Sequence, residues 1–106
     1  MSNNPPETLS VSELTDYLKG VVENTFPSVW VAGEISNLSR PRSGHIYMTL
    51  KDEGAQIRAV MWRSTASKLR FDLTEGQQVL AMGGVEIYGP QGVYQLIMRK
   101  VEPQGI

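Results

Sequence analysis

The chain has 106 residues, enough for one small domain with little room for a second core. A hydrophobic fraction of 41% excludes a wholly disordered chain, and the absence of cysteine removes disulfides, thiolate metal sites and cysteine nucleophiles together. The net charge of −1 hides a division along the chain: residues 1–35 carry −4, residues 36–70 carry +5 and residues 71–106 carry −2.

The N-terminal residues are polar and lack a signal-peptide core, and no apolar run reaches bilayer-spanning length. A cytoplasmic domain with no membrane partner is therefore expected, with residues 1–8 as a flexible tail. A short amphipathic helix follows. Ser10 with Glu13 forms a capping-box pattern, with Ser12 as an alternative N-cap. Leu14, Leu18, Val21 and Val22 make one apolar stripe, with Asp16, Lys19 and Glu23 turned away. Gly20 marks either the end of the helix or a kink in it.

Pro27 stops the helix, and residues 29–36 are rich in strand formers. Residues 37–44 read as a loop. His45 to Asp52 alternates, with Ile46, Met48 and Leu50 on one face and His45, Tyr47, Thr49 and Lys51 on the other. Asp52, Glu53 and Gly54 make a tight hairpin turn. Gln56 to Trp62 alternates again, placing Arg58, Val60 and Trp62 together. Residues 64–69 suit a short helix with Ser64 as its N-cap.

Gln78 to Tyr88 is a long strand interrupted by Gly83 and Gly84, which suit a bulge or bend. Residues 89–92 turn the chain into a last strand from Val93 to Val101. Helix, three strands, short helix and two strands is the layout of an all-β protein with short helices: a five-stranded Greek-key OB-fold barrel. An SH3-like barrel is the alternative, and it accounts less well for the helix between strands three and four. The domain is expected over residues 9–102, with residues 103–106 as its C-terminal end.

In such a barrel, ligands cross strands two and three between the loops joining strands one to two and four to five. Those positions here hold Arg40, Arg42, His45, Tyr47, Lys51, Arg58, Trp62 and Tyr88, with Gln91 in the last hairpin. Arginines track phosphates, and aromatic faces stack on unpaired bases, so the set suits a single nucleic-acid strand. Each residue also has a plainer role open to it. Trp62 can cover the barrel mouth, and Tyr47 can pack across strands. The arginines can be merely solvated, and His45 can cap a turn.

His45 has no neighbours that complete a metal site, so neither metal nor cofactor is expected. Asp52 and Glu53, adjacent in a turn, diverge and make a poor acid–base pair; they suit the turn itself. With one histidine, no cysteine, no P-loop and no G-x-S-x-G elbow, a catalytic centre within this chain is not expected.

The runs Val29–Asn37 (VWVAGEISN) and Ser43–Asp52 (SGHIYMTLKD) carry a family resemblance. Leu9–Leu14 (LSVSEL), Gln56–Trp62 (QIRAVMW) and Tyr88–Ile97 (YGPQGVYQLI) support it. The chain resembles the N-terminal domain of the bacterial exodeoxyribonuclease VII large subunit. In that family's pattern a Phe often stands where Met48 and Trp62 are found here. The resemblance implies an OB-fold that binds single-stranded DNA for a processive nuclease, which cuts single strands from both ends into oligonucleotides without a divalent metal. It also implies a nuclease domain downstream of Ile106 and small subunits that assemble through that region. The chain is then the substrate-gripping part of a longer protein. Two other readings stay open: a protein-interaction module for nuclease assembly, and an anticodon-type RNA-binding domain.

Overall fold

The computed structural model describes residues 8–105; almost all of the tail expected at residues 1–8, and Ile106, lie outside the described residues. Helix α1 (Val11–Thr25) precedes strands β1 (Val29–Ser39), β2 (Ile46–Lys51) and β3 (Gln56–Met61). Helix α2 (Arg63–Ala66) leads to β4 (Gln78–Tyr88), a 3-10 turn at Gly89–Gln91 and β5 (Val93–Pro103). The strands close into a barrel in the order β1-β2-β3-β5-β4. All pairs are antiparallel except β3 with β5. This is the expected five-stranded OB-fold barrel.

Closure depends on β1, which serves two neighbours. Its first half pairs with β4 from Val29 to Glu34, and its second half pairs with β2 from Glu34 to Ser39. The alternation of β2 drives Ile46, Met48 and Leu50 inward, where they meet Ile35, Ala59, Met61, Leu73, Val79, Ala81, Leu96 and Met98. The solvent side of β1 carries Trp30, 55% exposed, and Glu34, which lies 3.7 Å from the Lys51 ammonium.

Strand β1 runs three residues beyond its expected end. A bulge between Ser36 and Ser39 breaks its register with β2, and Asn37 takes a left-handed φ of 52°. The Glu75 carboxylate accepts the N–H groups of Asn37 (3.3 Å) and Leu38 (2.6 Å) there. This long-range clamp extends the strand where composition suggested a loop. Glu75→Ala should cost about 1 kcal/mol in chemical denaturation, the net worth of two exposed hydrogen bonds whose N–H groups water then takes up. Strand β3, by contrast, ends at Met61. The Trp62 carbonyl accepts from Thr65 and Ala66 at 2.9 Å, so Trp62 rather than Ser64 holds the N-cap position of α2.

The capping box at α1 is present: Ser10 Oγ accepts from the Glu13 N–H (3.0 Å), and Glu13 accepts from the Ser10 N–H (2.9 Å). The backbone hydrogen bond from Ser10, aided by its hydroxyl, holds the Glu13 carboxyl below its usual 4.5. This contact therefore stabilises the helix above that pH and is lost as pH falls through the lowered value.

The helix does not dock by its apolar stripe. Leu14, Leu18 and Val21 are 48%, 46% and 63% exposed, whereas Thr15, Lys19, Val22 and Glu23 are half-buried. Lys19, expected to face solvent, donates to the Ile87 carbonyl (3.1 Å) and to Glu23 (3.2 Å). The edge of β4 thus seats the helix through a polar anchor, which rotates most of the stripe away. Leu18→Lys should consequently shift the thermal midpoint little, within about 0.5 kcal/mol, the behaviour of a surface position. The helix also passes through Gly20 without ending, and nothing lies within 4 Å of a Cβ built there. Gly20→Ala should stabilise the domain by about 0.5–1 kcal/mol in the same assay.

Candidate nucleic-acid interface

Because β2 alternates, Tyr47, Thr49 and Lys51 point away from the barrel interior, and pairing with β3 sets Tyr47 opposite Val60 and Thr49 opposite Arg58. Val60 shares the outward phase of Arg58, yet it is 1% exposed. Tyr47 therefore has a buried apolar register partner and is itself half-buried.

At one end of this face the aromatic residues form a row. The rings of His45 and Tyr47 meet edge to face at 6.4 Å, and those of His45 and Trp62 at 5.1 Å. Trp62 is 43% exposed at the junction of β3 and α2, so it does not close the barrel core. His45 is held in place: its Nδ1 accepts the Arg63 N–H at 2.8 Å. The turn that leads into β2 is closed by the Gly44 N–H donating to the Pro41 carbonyl (3.1 Å).

Two grooves flank the row. One, of about 520 Å³, lies between the β4–β5 hairpin and the outer face of β2 and β3; Asn37, Tyr47, Thr49, Arg58, Gln91 and Tyr94 line it. The other, of about 610 Å³, lies between the β1–β2 loop and α2, and contains Arg40, His45 and Arg63. Neither is lined by a carboxylate. The Tyr47–His45 contact joins the two grooves.

The eight sequence-derived candidates divide accordingly. Tyr47, Arg58, His45 and Arg40 line the grooves, and Trp62 completes the row. Arg42 is exposed in the β1–β2 loop and lines neither. Arg40 is partly committed, donating from Nη2 to the Leu73 carbonyl at 2.5 Å. Lys51 turns toward Glu34 and a concavity that also contains Asp52 and Glu53. Tyr88 lines neither groove; it precedes the 3-10 turn that α1 contacts.

Residues not singled out from the sequence are Tyr94, 55% exposed in the first groove, and Arg63 in the second. Tyr94 stands two positions past the turn at residues 89–92, and Arg63 directly follows the Trp62 that drew attention, so proximity was their only sequence signal. Asp52 accepts the N–H groups of Gly54 and Ala55 at 2.9 Å each, as a turn residue does. Among the described residues no three His, Asp or Glu side chains converge as a metal site, and no helix is long and apolar enough to cross a membrane.

A closed five-stranded barrel with an interposed helix and a cationic, aromatic outer face defines the class: a small OB-fold of the nucleic-acid-binding kind. The family model described as OB-fold nucleic acid binding domain matches residues 9–102, and the chain belongs to this family. The exodeoxyribonuclease 7 large subunit of Rhodopirellula baltica is 57% identical over 105 residues, which cover 99% of this chain and 24% of that protein. Its counterpart in Geotalea uraniireducens is 50% identical over 98 residues, covering 92% of this chain and 22% of that protein. The chain thus spans about a quarter of the length of these relatives. The resemblance read from the sequence is therefore to proteins of that name.

Among solved structures, asparaginyl-tRNA synthetase from Pyrococcus horikoshii superposes with a TM-score of 0.62 at 18% identity, over 84% of this chain and 22% of that one. A replication protein A heterotrimer bound to ssDNA gives 0.60 at 18% identity, over 76% of this chain and 59% of that one. At such identities these two likenesses concern the fold alone.

Proposed function

We propose that the outer face of β2 and β3 binds single-stranded DNA, and that the chain is the strand-gripping domain of an exodeoxyribonuclease VII large subunit. The observation that carries this reading is the row Tyr47–His45–Trp62 set between two carboxylate-free grooves that contain Arg40, Arg58 and Arg63. Aromatic rings at a surface offer stacking partners to bases that a duplex keeps hidden, and guanidinium groups beside them neutralise the backbone. The sharing of roles is physical: rings contribute sequence-tolerant affinity, and arginines contribute the salt-dependent part.

DNA rather than RNA is favoured by the relatives' name, which specifies a deoxyribonuclease. In this proposal, residues 9–102 grip the strand and present it to a nuclease domain in the remaining part of the large subunit. The small subunit is held through that part as well, and the assembly works in the bacterial cytoplasm. Arg42, Lys51 and Tyr88 belong to the proposed contact set as outer members: Arg42 meets phosphates from the loop, while Lys51 and Tyr88 reach a longer strand at its margins.

Titration of labelled oligo-dT, oligo-rU and duplex DNA at two salt concentrations tests the reading. Oligo-dT should bind more tightly than duplex and weaken with salt. Absence of salt-sensitive oligo-dT binding would remove the proposal in favour of a protein-docking module. A clear preference for oligo-rU would move it to RNA.

A further inference from the structure

We propose that the groove between the β1–β2 loop and α2 is a separate phosphate site, which takes a phosphate of the nucleic-acid strand where it leaves the aromatic row. The inference builds on the single-strand reading, but the chemistry belongs to the groove. Arg40, Ser43, His45, Arg63, Ser64 and Ser67 line it, giving two guanidinium groups, an imidazole and three hydroxyls, of which that of Ser67 already donates to the Ser64 carbonyl (3.1 Å), with no carboxylate among the lining residues. Guanidinium forks match phosphate oxygens in pairs, and serine hydroxyls are common backbone-phosphate donors. Among the described residues the ion pairs are Lys19–Glu23 and Lys51–Glu34, so both arginines here have no carboxylate partner.

Three features pre-arrange the groove. Arg40 Nη2 donates to the Leu73 carbonyl (2.5 Å), which fixes the guanidinium and leaves its other N–H groups for a ligand. A side chain held before binding has less freedom to lose on binding. His45 accepts the Arg63 N–H on Nδ1 (2.8 Å), so the proton of the neutral ring sits on Nε2, making that nitrogen a donor. Gly44, at φ +89°, lets the loop approach α2: a Cβ there would stand 3.2 Å from Arg63 Cβ. The groove is also continuous with the proposed strand path, because His45 is both part of its wall and the middle ring of the row. A strand stacked on Tyr47 and Trp62 therefore brings a phosphate to this groove.

Two sources share that chemistry, a terminal phosphate monoester and an internal phosphodiester. They are separated with oligo-dT of about ten nucleotides carrying a 5′-phosphate, a 3′-phosphate or neither. Arg63→Gln keeps most of the side-chain stem and removes the charge; Ser64→Asp adds a negative charge to the wall. Thermal midpoints confirm that both variants fold. In parallel, amide shifts of Gly44, His45, Arg63 and Ser64 are followed by NMR during titration with inorganic phosphate.

Both variants should weaken oligo-dT binding, Arg63→Gln by about five- to tenfold with a salt slope shallower by about 0.7. A gain from one end phosphate that disappears in Arg63→Gln assigns the site to the monoester. The same loss without dependence on end phosphate assigns it to the diester. If Arg63→Gln matches the parent in affinity and slope on all three oligonucleotides while Tyr47→Ala weakens them, and the four amides stay still in phosphate, the site is overturned and the single-strand reading stands. If the parent binds no oligonucleotide, the single-strand reading fails, and the phosphate titration decides the groove alone. Shifts confined to those amides and lost in Arg63→Gln then support an anion site; unmoved amides overturn it.

Discussion

Replacing Gly83 by alanine should destabilise the domain by about 3 kcal/mol, a large share of the stability of a barrel this size. Strand β4 shifts register against β5 between Met82 and Gly83, and the backbones come so close that a Cβ at Gly83 would overlap the Ile97 carbonyl oxygen. It would also lie 2.7 Å from the Ile97 carbonyl carbon and 3.0 Å from Met98 Cα. All three atoms are backbone, so a side-chain rotation cannot relieve the clash. Either the β4–β5 ladder opens or the bulge is lost, and the barrel needs both for closure. Urea unfolding reads the effect as a lower midpoint; an unchanged midpoint would mean that β4 and β5 are less tightly apposed than described. The opposite sign expected for Gly20→Ala makes the pair a useful contrast, since the same substitution is strained at one site and free at the other.

Tyr47→Ala should weaken oligo-dT binding by about ten- to a hundredfold while leaving the slope against salt nearly unchanged, because the ring contributes stacking rather than charge. Its effect on stability should be small, about 0.2–1 kcal/mol, from the lost cross-strand pair with Val60. Arg42→Ala should do the reverse in kind, with a modest loss of affinity and a salt slope shallower by about 0.7. Fluorescence anisotropy at four or so salt concentrations measures both quantities, and circular dichroism checks the fold. If Tyr47→Ala binds as the parent does but unfolds early, the ring serves packing alone, and the row is structural.

The two outcomes concern different parts of the same arrangement. The bulge at Gly83 belongs to closure of the barrel, and closure keeps β2 and β3 side by side so that Tyr47, Thr49 and Arg58 share one outward face. The clamp from Glu75 onto Asn37 and Leu38 does the corresponding work at the opposite edge, holding the end of β1 from which the arginine-bearing loop departs. The outward face of β2 and β3 therefore rests on two long-range contacts, the β4–β5 bulge and the Glu75 clamp.

Much of the barrel was legible in the residues because strand alternation is a local property. Ile46, Met48 and Leu50 against Tyr47, Thr49 and Lys51 gave the inward and outward faces of β2, and the Gly83–Gly84 pair marked the bulge in β4. The capping box at Ser10 was equally plain, since both partners lie within one turn. The outward placement of Tyr47 and Arg58 was legible for the same reason, because both belong to short strands whose period can be read directly.

Contacts between distant segments were not legible. No local signal pairs Glu75 with Asn37, or Lys19 with the Ile87 carbonyl, and these contacts lengthened β1 and turned α1. An amphipathic stripe states that a helix has an apolar side, but which side docks depends on the groups waiting on β4. Lys51 and Arg40 show the same limit: their charges are countable, yet Glu34 and the Leu73 carbonyl decide how much of each is free for a ligand. The sequence by itself determined the faces of β2 and β3, the hairpin turns, the cationic middle segment and the family. Only the tertiary structure showed that His45 continues the β2–β3 ladder past Ile46 and Met61 to meet Trp62 and the Arg63 N–H, and brought Tyr94 into one groove with Tyr47; the first follows from the hairpin register and the second from closure of β5 against β3.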